Sequence, residues 1–278
     1  MRRSLTNAER TDVQPDQRQP AEEFTLNSVH RALRILEILA CERNGMTITE
    51  LSAEFEINKG LVHRMLMNLS ELNYVYKDDL TQRYRLSMKL VSLAFRQVET
   101  MGVYDTLLPI LRELAYETGE LSEIGWIEDR RMVIVAKVDS PQKVRVVDRL
   151  GEELRPHATA AGKVWLAYSD PEFVRQVLAE RGLPAITEYT ITDVDELCEQ
   201  LAEIRERGFS VNYQESALDV SAIAVPVLKR ESDRTVLGAV SVAAPLYRGI
   251  HSNPRVVDLA AAAADSIGMV WPFLDGNP

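Results

Sequence analysis

Only two of the 278 residues are cysteine, Cys41 and Cys198. They fall in different expected helices and lack metal-type spacing, which excludes a disulfide scaffold and leaves reduced thiols as the expected state. Long apolar runs are missing: the longest, around Leu259 to Ala264, is far short of the roughly 18 residues a membrane span requires, and no apolar core of signal-peptide length opens the chain. A cytoplasmic protein without membrane contact is expected. Catalytic signatures are missing as well. There is no G-x-S-x-G elbow, H-E-x-x-H pair, G-x-x-x-x-G-K-[ST] loop or Cys-His arrangement, and His30, His63, His157 and His251 are scattered. No catalytic residue, metal or cofactor is therefore assigned. A small-molecule-converting enzyme with an accessory DNA-binding or interaction domain stands as the alternative reading.

Positive charge is also scarce, with a net charge of −10, but the deficit is regional. From Asn27 to Leu93 nine bases face eight acids, whereas from Ala94 onward nineteen bases face twenty-nine acids. The acidity belongs to the second part of the chain, where it disfavours nonspecific contact with a polyanion. The otherwise ordinary composition, 46% hydrophobic and 27% charged, suits a soluble protein of two domains.

Thr47 to Tyr74 carries the clearest pattern. Thr47 and Glu50 form an S/T-x-x-E capping box, and Asn58 caps a second helix running to about Leu72 after the short turn Glu56-Ile57-Asn58. Val62, Met65, Leu66, Leu69 and Leu72 make one apolar stripe on that helix, while Lys59, Gly60, His63, Arg64, Met67 and Asn68 occupy the opposite face. Two helices joined by a tight turn, the second with a polar and basic free face, are the arrangement that lays a recognition helix in a DNA major groove. Solvated surface charge on a helical hairpin is the plainer reading. The strand-like runs Tyr74–Lys77 and Arg83–Leu86 then suggest a wing from which Arg83, Arg85 and Lys89 could reach phosphates. Upstream, Asn27 or Ser28 caps a helix with Val29, Ala32, Leu33, Leu36 and Leu39 on one face. The expected order is a disordered arm over 1–25 containing Arg2, Arg3, Arg10 and Arg18, a winged helix-turn-helix domain over 26–86, and a linker helix over 87–102. The apolar residues Leu90, Val91, Leu93, Ala94, Phe95 and Val98 cover more than one side of that linker, which suggests burial against a second copy, though local packing accounts for them equally well.

Residues 103–278 read as mixed α/β. Strands are expected at Ser122–Ile127, Met132–Lys137, Val144–Asp148, Phe209–Tyr213, Ala222–Leu228 and Val236–Ala243, with helices near 103–118, 160–168, 171–181, 193–207 and 253–271. One curved, mostly antiparallel sheet with helices packed on it follows. The small residues Thr159-Ala160-Ala161-Gly162 open a helix and leave backbone N–H groups able to receive a carboxylate or phosphate, with Lys163 beside them. Close packing of that helix on the sheet explains small residues equally well.

The ordered segments TITELSAEFEINKGLVHRMLMNLSELNYV, YRLSMKLVSLA, LRPHATAAGKVWLAY, RERGFSVNYQES, AIAVPV and LGAVSVAAP resemble the IclR-type transcriptional regulators from about Asn27 onward. The resemblance implies an α+β two-domain protein with a GAF-like effector domain. It implies dimers or tetramers that bind partly palindromic double-stranded operator DNA and answer to a small organic, often aromatic, acid. Carried over, the DNA contacts fall on Asn58, Lys59, Gly60, His63, Arg64, Asn68, Arg83 and Arg85. The effector pocket falls on Thr159, Ala160, Ala161, Gly162, Asn212, Ala222, Ala239 and Ser241. The family often has cysteine where Ala222 stands, serine at Ala239, an acid at Asn212, glycine at Asp219, and Lys-Ser-Thr at Lys59-Gly60-Leu61. These losses of polar groups imply a roomier pocket suited to a larger or aromatic acid.

Overall fold

The computed structural model describes residues 28–100, 102–128, 130–148, 150–151, 153–229 and 235–271. The expected arm, Asn27 as a cap, Met101 at the end of the linker and Asp129 in a turn lie outside the described residues. The chain divides into two compact units, one ending at Leu93 and the other starting at Ala94.

The first unit is built on α1 (Ser28–Cys41), α2 (Ile48–Glu54) and α3 (Lys59–Glu71), followed by β1 (Val75–Lys77) and β2 (Tyr84–Leu86). The Thr47–Glu50 capping box is formed, and Asn58 Oδ1 accepts the Leu61 amide at 2.9 Å to start α3. Val62, Met65, Leu66 and Leu69 of α3 interlock with Ile35, Leu36 and Leu39 of α1, Leu51 of α2 and Val75 and Tyr84 of the wing. Three expected core positions are instead more than half exposed: Val29, Leu33 and Leu72. The first two lie in the opening turns of α1, ahead of the stretch that carries its buried residues. Leu72 is the residue that ends α3, where the chain turns away. Gly45 has φ +68°, and a Cβ there would lie 2.4 Å from the Tyr84 carbonyl oxygen, so only glycine lets Met46 bridge to Tyr84 and widen the wing.

α4 (Lys89–Thr100) contains the division between the units and has no fully buried residue. Leu90 packs on the core of the first unit and Val98 on that of the second, which leaves Val91, Leu93 and Phe95 exposed.

In the second unit a π-helical turn at Val103–Leu107 leads into α5 (Leu108–Thr118), which ends on left-handed Gly119. The strands β3 (Leu121–Glu128), β4 (Arg131–Val138), β5 (Ser210–Tyr213), β6 (Val220–Leu228) and β7 (Val236–Pro245) form a wholly antiparallel sheet of order β4-β3-β7-β6-β5. Alternation decides which side each residue serves. Ile124, Ile223, Val225, Val240 and Val242 face α5 and α9 (Pro254–Val270). Ala224, Ala239 and Met132 face α6 (Ala160–Tyr168), α7 (Pro171–Arg181) and α8 (Val194–Arg207).

Val144–Asp148, expected as a strand, is a loop. The edge of β4 that it would need is occupied by Gly151, Glu153 and Leu154, where the Gly151 amide donates to the Ile134 carbonyl at 2.8 Å and that of Leu154 to Met132 at 2.9 Å. The loop is tied down by side chains instead: Arg248 Nη2 donates to the Val144 carbonyl at 2.5 Å and Lys137 Nζ to that of Asp148 at 2.6 Å. Alternating polarity alone read it as a strand, but a strand also needs a free neighbour to pair with.

Candidate functional site

On α3 the side chains of Lys59, His63, Arg64, Met67 and Asn68 are all exposed, with Gly60 between them, so the polar face expected for groove contact is open in this unit. The wing differs from expectation. Arg83 is engaged with Glu50 at 2.8 and 2.9 Å and with the Gly45 carbonyl at 2.8 Å. The Glu50 carboxylate is held below its usual range by the Thr47 amide and then by Arg83. Lys89 Nζ donates to the Leu72 carbonyl at 2.7 Å, ending α3, and lies over the Tyr74 ring. Both cations brace the fold, because each donates to an acceptor that would lose its partner if the cation turned to a phosphate. Arg85, paired with Tyr76, and Lys77 are the cations left on the two wing strands. Lys77 has no signal in the sequence beyond its place at the end of β1.

In the second unit a cavity of about 180 Å³ lies between the sheet and the start of α6. Thr159, Ala160, Ala161, Asn212, Ala222 and Ser241 line it, six of the eight positions expected there, with Glu123, Asp148 and Ser216 as further polar members. Gly162 and Ala239 do not. A Cβ on Gly162 would lie 2.5 Å from Pro156 Cα, so glycine is needed to seat the helix, and Ala239 is sealed in the core beneath α6.

The polar groups at the α6 end are mostly committed to structure. Thr159 Oγ1 accepts the Gly162 amide at 3.1 Å and donates to the Arg155 carbonyl at 3.0 Å. Asn212, expected to offer a hydrogen bond to a ligand, spends both amide hydrogens on the Ala158 carbonyl and Ser216 Oγ, while its Oδ1 accepts the Glu215 amide. It positions the cavity wall. Lys163 is neither solvated nor turned to an anion site: it is fully buried, and Nζ donates to Glu215 Oε1 at 2.5 Å and the Val211 carbonyl at 2.9 Å. Burial pushes the lysine down and the glutamate up, each opposed by the partner's charge. Among the described residues the Ala160 and Ala161 amides have no hydrogen-bond acceptor, because the opening turn of a helix supplies none within itself.

His157 shows what an isolated histidine does here. It is buried, its Nε2–H donates to the Pro184 carbonyl at 3.0 Å, and burial holds the imidazole below its usual pKa. The unfolded chain takes up a proton near pH 6.5 while the folded state resists, so stability should fall as pH drops below that value, by at most about 1.4 kcal/mol per pH unit. His157→Gln should flatten this slope. Melting curves collected between neutral and mildly acidic pH test it, and parallel slopes for both proteins would refute the assignment.

An open-faced helix beside a wing, followed by an α/β unit with a cavity at a helix start, is the architecture of a DNA-binding regulator. Residues 95–269 match the family model described as bacterial transcriptional regulator IclR C-terminal, and residues 28–79 match the IclR helix-turn-helix domain. The chain belongs to the IclR family of transcriptional regulators. It is 31% identical over 242 residues to the HTH-type transcriptional regulator KdgR of Dickeya chrysanthemi, covering 87% of this chain and 76% of that one. A crystal structure of an IclR transcriptional regulator from Silicibacter sp. TM1040 is 30% identical and superposes with a TM-score of 0.75, covering 87% of this chain and 95% of that one. An IclR homolog from Microbacterium hydrocarbonoxydans complexed with 4-hydroxybenzoate shares the fold at 21% identity, with a TM-score of 0.73 and coverage of 90% and 100%. The curated relatives are transcriptional regulators, so the protein is a regulator and not an enzyme. No helix among the described residues is long and apolar enough to cross a membrane.

Proposed function

We infer that this regulator binds a compact organic acid in the cavity of its second unit, and that the bound acid alters how α3 engages operator DNA in the cytoplasm. The observation that carries the reading is the cavity itself, where two helix-start amides and a cluster of polar side chains meet an aliphatic wall of Ile134, Val146, Leu154 and Val220. A carboxylate suits the α6 start, because the helix dipole favours negative charge there. At about 180 Å³ the space is slightly larger than the roughly 150 Å³ that accommodates benzene, so a single ring or a chain of similar bulk fits. The 4-hydroxybenzoate held by the Microbacterium homolog is a ligand of that size. The matched segments, residues 28–79 and 95–269, support a DNA-binding domain within 26–86 and an effector domain that takes in the chain from 103, while the linker proposed over 87–102 rests on α4. Self-association, as dimer or tetramer, rests on the exposed apolar residues of α4.

Two variants test the reading. Arg64→Ala should weaken operator binding by roughly 1–3 kcal/mol if Arg64 reads a base, and unchanged fluorescence anisotropy would remove it from the interface. Ala161→Leu should fill the cavity, leave DNA affinity intact and abolish the ligand response, since a ligand acts only through differential affinity for the two states, typically 1–3 kcal/mol. A mutant that melts early yet binds acid normally would mean that Ala161 merely packs its helix.

A further inference from the structure

A second concavity, of about 260 Å³, opens between α6, α7 and α8, at the end of α6 opposite to Ala160 and Ala161. Its floor is Leu166 and Ala167 of α6, Val174 of α7 and Leu201 of α8, each at most 6% exposed. Exposed residues at its rim include Arg175, Cys198, Ala202 and Arg205. α8 carries five acids, Asp195, Glu196, Glu199, Glu203 and Glu206, yet none of the described residues lining the groove is acidic. The two guanidinium groups are tied alike. Arg205 donates through Nε to the Ala167 carbonyl and through Nη2 to that of Ser169, and Arg175 donates through Nε and Nη2 to Glu172 Oε2. Each keeps an Nη1 amino group without an acceptor among the described residues. Arg205, bound only to carbonyls, also has no carboxylate partner among them, so its charge stands uncompensated.

We propose that this groove is a second ligand site, which takes a linear acyl chain ending in a carboxylate. The aliphatic floor offers water few hydrogen-bond partners, so a chain that displaces it gains affinity. Scaled from the roughly 150 Å³ that holds benzene, the volume admits a chain of about ten carbons. The carboxylate accepts from Arg205 Nη1, and Arg175 on α7 adds a second donor; charge-assisted bonds of this kind are among the strongest a surface site can make. A chain with an ammonium head meets two like charges instead, so the rim selects what the floor attracts. The groove is separate from the cavity at the α6 start, and the proposal holds whether or not an acid binds there.

Cys198 is a built-in reporter, since its thiol is exposed at the rim. In the full-length Cys41→Ser protein it is the sole thiol, and its rate of reaction with a neutral aromatic disulfide can be followed against added ligand. The probes are sodium decanoate, decanol and decyltrimethylammonium, each below its micelle concentration. Decanoate should protect the thiol at a concentration about ten-fold or more below that of decanol, the scale of one charge-assisted hydrogen bond, and the ammonium should not protect. Ala202→Trp fills the groove from an exposed position and should abolish calorimetric binding of decanoate. Arg175→Gln should weaken decanoate several-fold and leave decanol unchanged, with little effect on the melting curve because its pair with Glu172 is exposed. Ala161→Leu should leave decanoate bound. The proposal is overturned if decanoate gives no protection at millimolar concentration, if decanol or the ammonium protects equally well, or if folded Ala202→Trp binds decanoate as before. Loss of binding in folded Ala161→Leu but not in Ala202→Trp would put the chain in the cavity at the α6 start. Thiol reactivity that falls as protein concentration alone rises would give the groove to a second copy. Either result also overturns the proposal.

Discussion

Replacing Lys163 by Ala is expected to destabilise the α/β unit by about 3–5 kcal/mol, because it strands the Glu215 carboxylate in a place where water cannot reach it. The pair joins α6 to the segment after β5, and further bonds tie that segment: Thr187 Oγ1 donates to the Gln214 carbonyl and Thr190 Oγ1 to that of Glu215, both at 2.7 Å. Ser216 and Ala217 follow directly and line the cavity, so ligand binding should fall together with stability. The ion pair is not expected to be a net gain over apolar packing. Glu215 Oε2 is buried with no hydrogen-bond partner among the described residues, and a Lys163→Met, Glu215→Leu double variant should recover most of the lost stability. Urea unfolding of the three proteins measures this. A single variant that loses under about 1 kcal/mol would show that the pair is worth no more than a surface contact.

The second large effect is expected on assembly. Phe95 is 55% exposed in the single chain and stands on α4 one turn from Val91, which is itself 38% exposed. If α4 is the self-association surface, Phe95→Asp places an unpaired carboxylate in an apolar contact. A penalty of about 3 kcal/mol or more would then weaken the dimer at least 100-fold. Sedimentation across a range of protein concentrations reads the shift. The monomer should still melt cooperatively, because Phe95 belongs to neither core. A folded mutant that sediments like the wild type would place the interface elsewhere.

Local signals were legible in the sequence, and long-range ones largely were not. The capping box at Thr47, the cap at Asn58 and the stripe of α3 as far as Leu69 are decided within a few residues, and each forms as read, Leu72 alone falling outside the core. The small residues at 159–161 pointed to a helix start beside a cavity for the same reason. What escaped depends on partners far along the chain. Arg83 is claimed by Glu50, 33 residues earlier, and Lys163 by Glu215, 52 residues later. Nothing near either residue announces this. Glu123 and Asp148 reach the cavity only through the strand order of the sheet and the tying of a loop, and one of them lay in a segment whose alternation read as a strand. The same is true of Gly162 and Ala239, whose small size serves packing in one case and core filling in the other.

The loop that carries Val146 and Asp148 is held by Arg248 and Lys137 through main-chain carbonyls at Val144 and Asp148. A carbonyl is the same whatever side chain it belongs to. Residues 146 and 148 can therefore be exchanged without unmooring the segment, and their substitution changes what the cavity touches more than where its wall stands. A lineage could retune what the cavity accepts by single replacements at these two positions, at small cost in stability, while α3 stays unchanged. Ligand preference and gene target can then diverge on separate schedules.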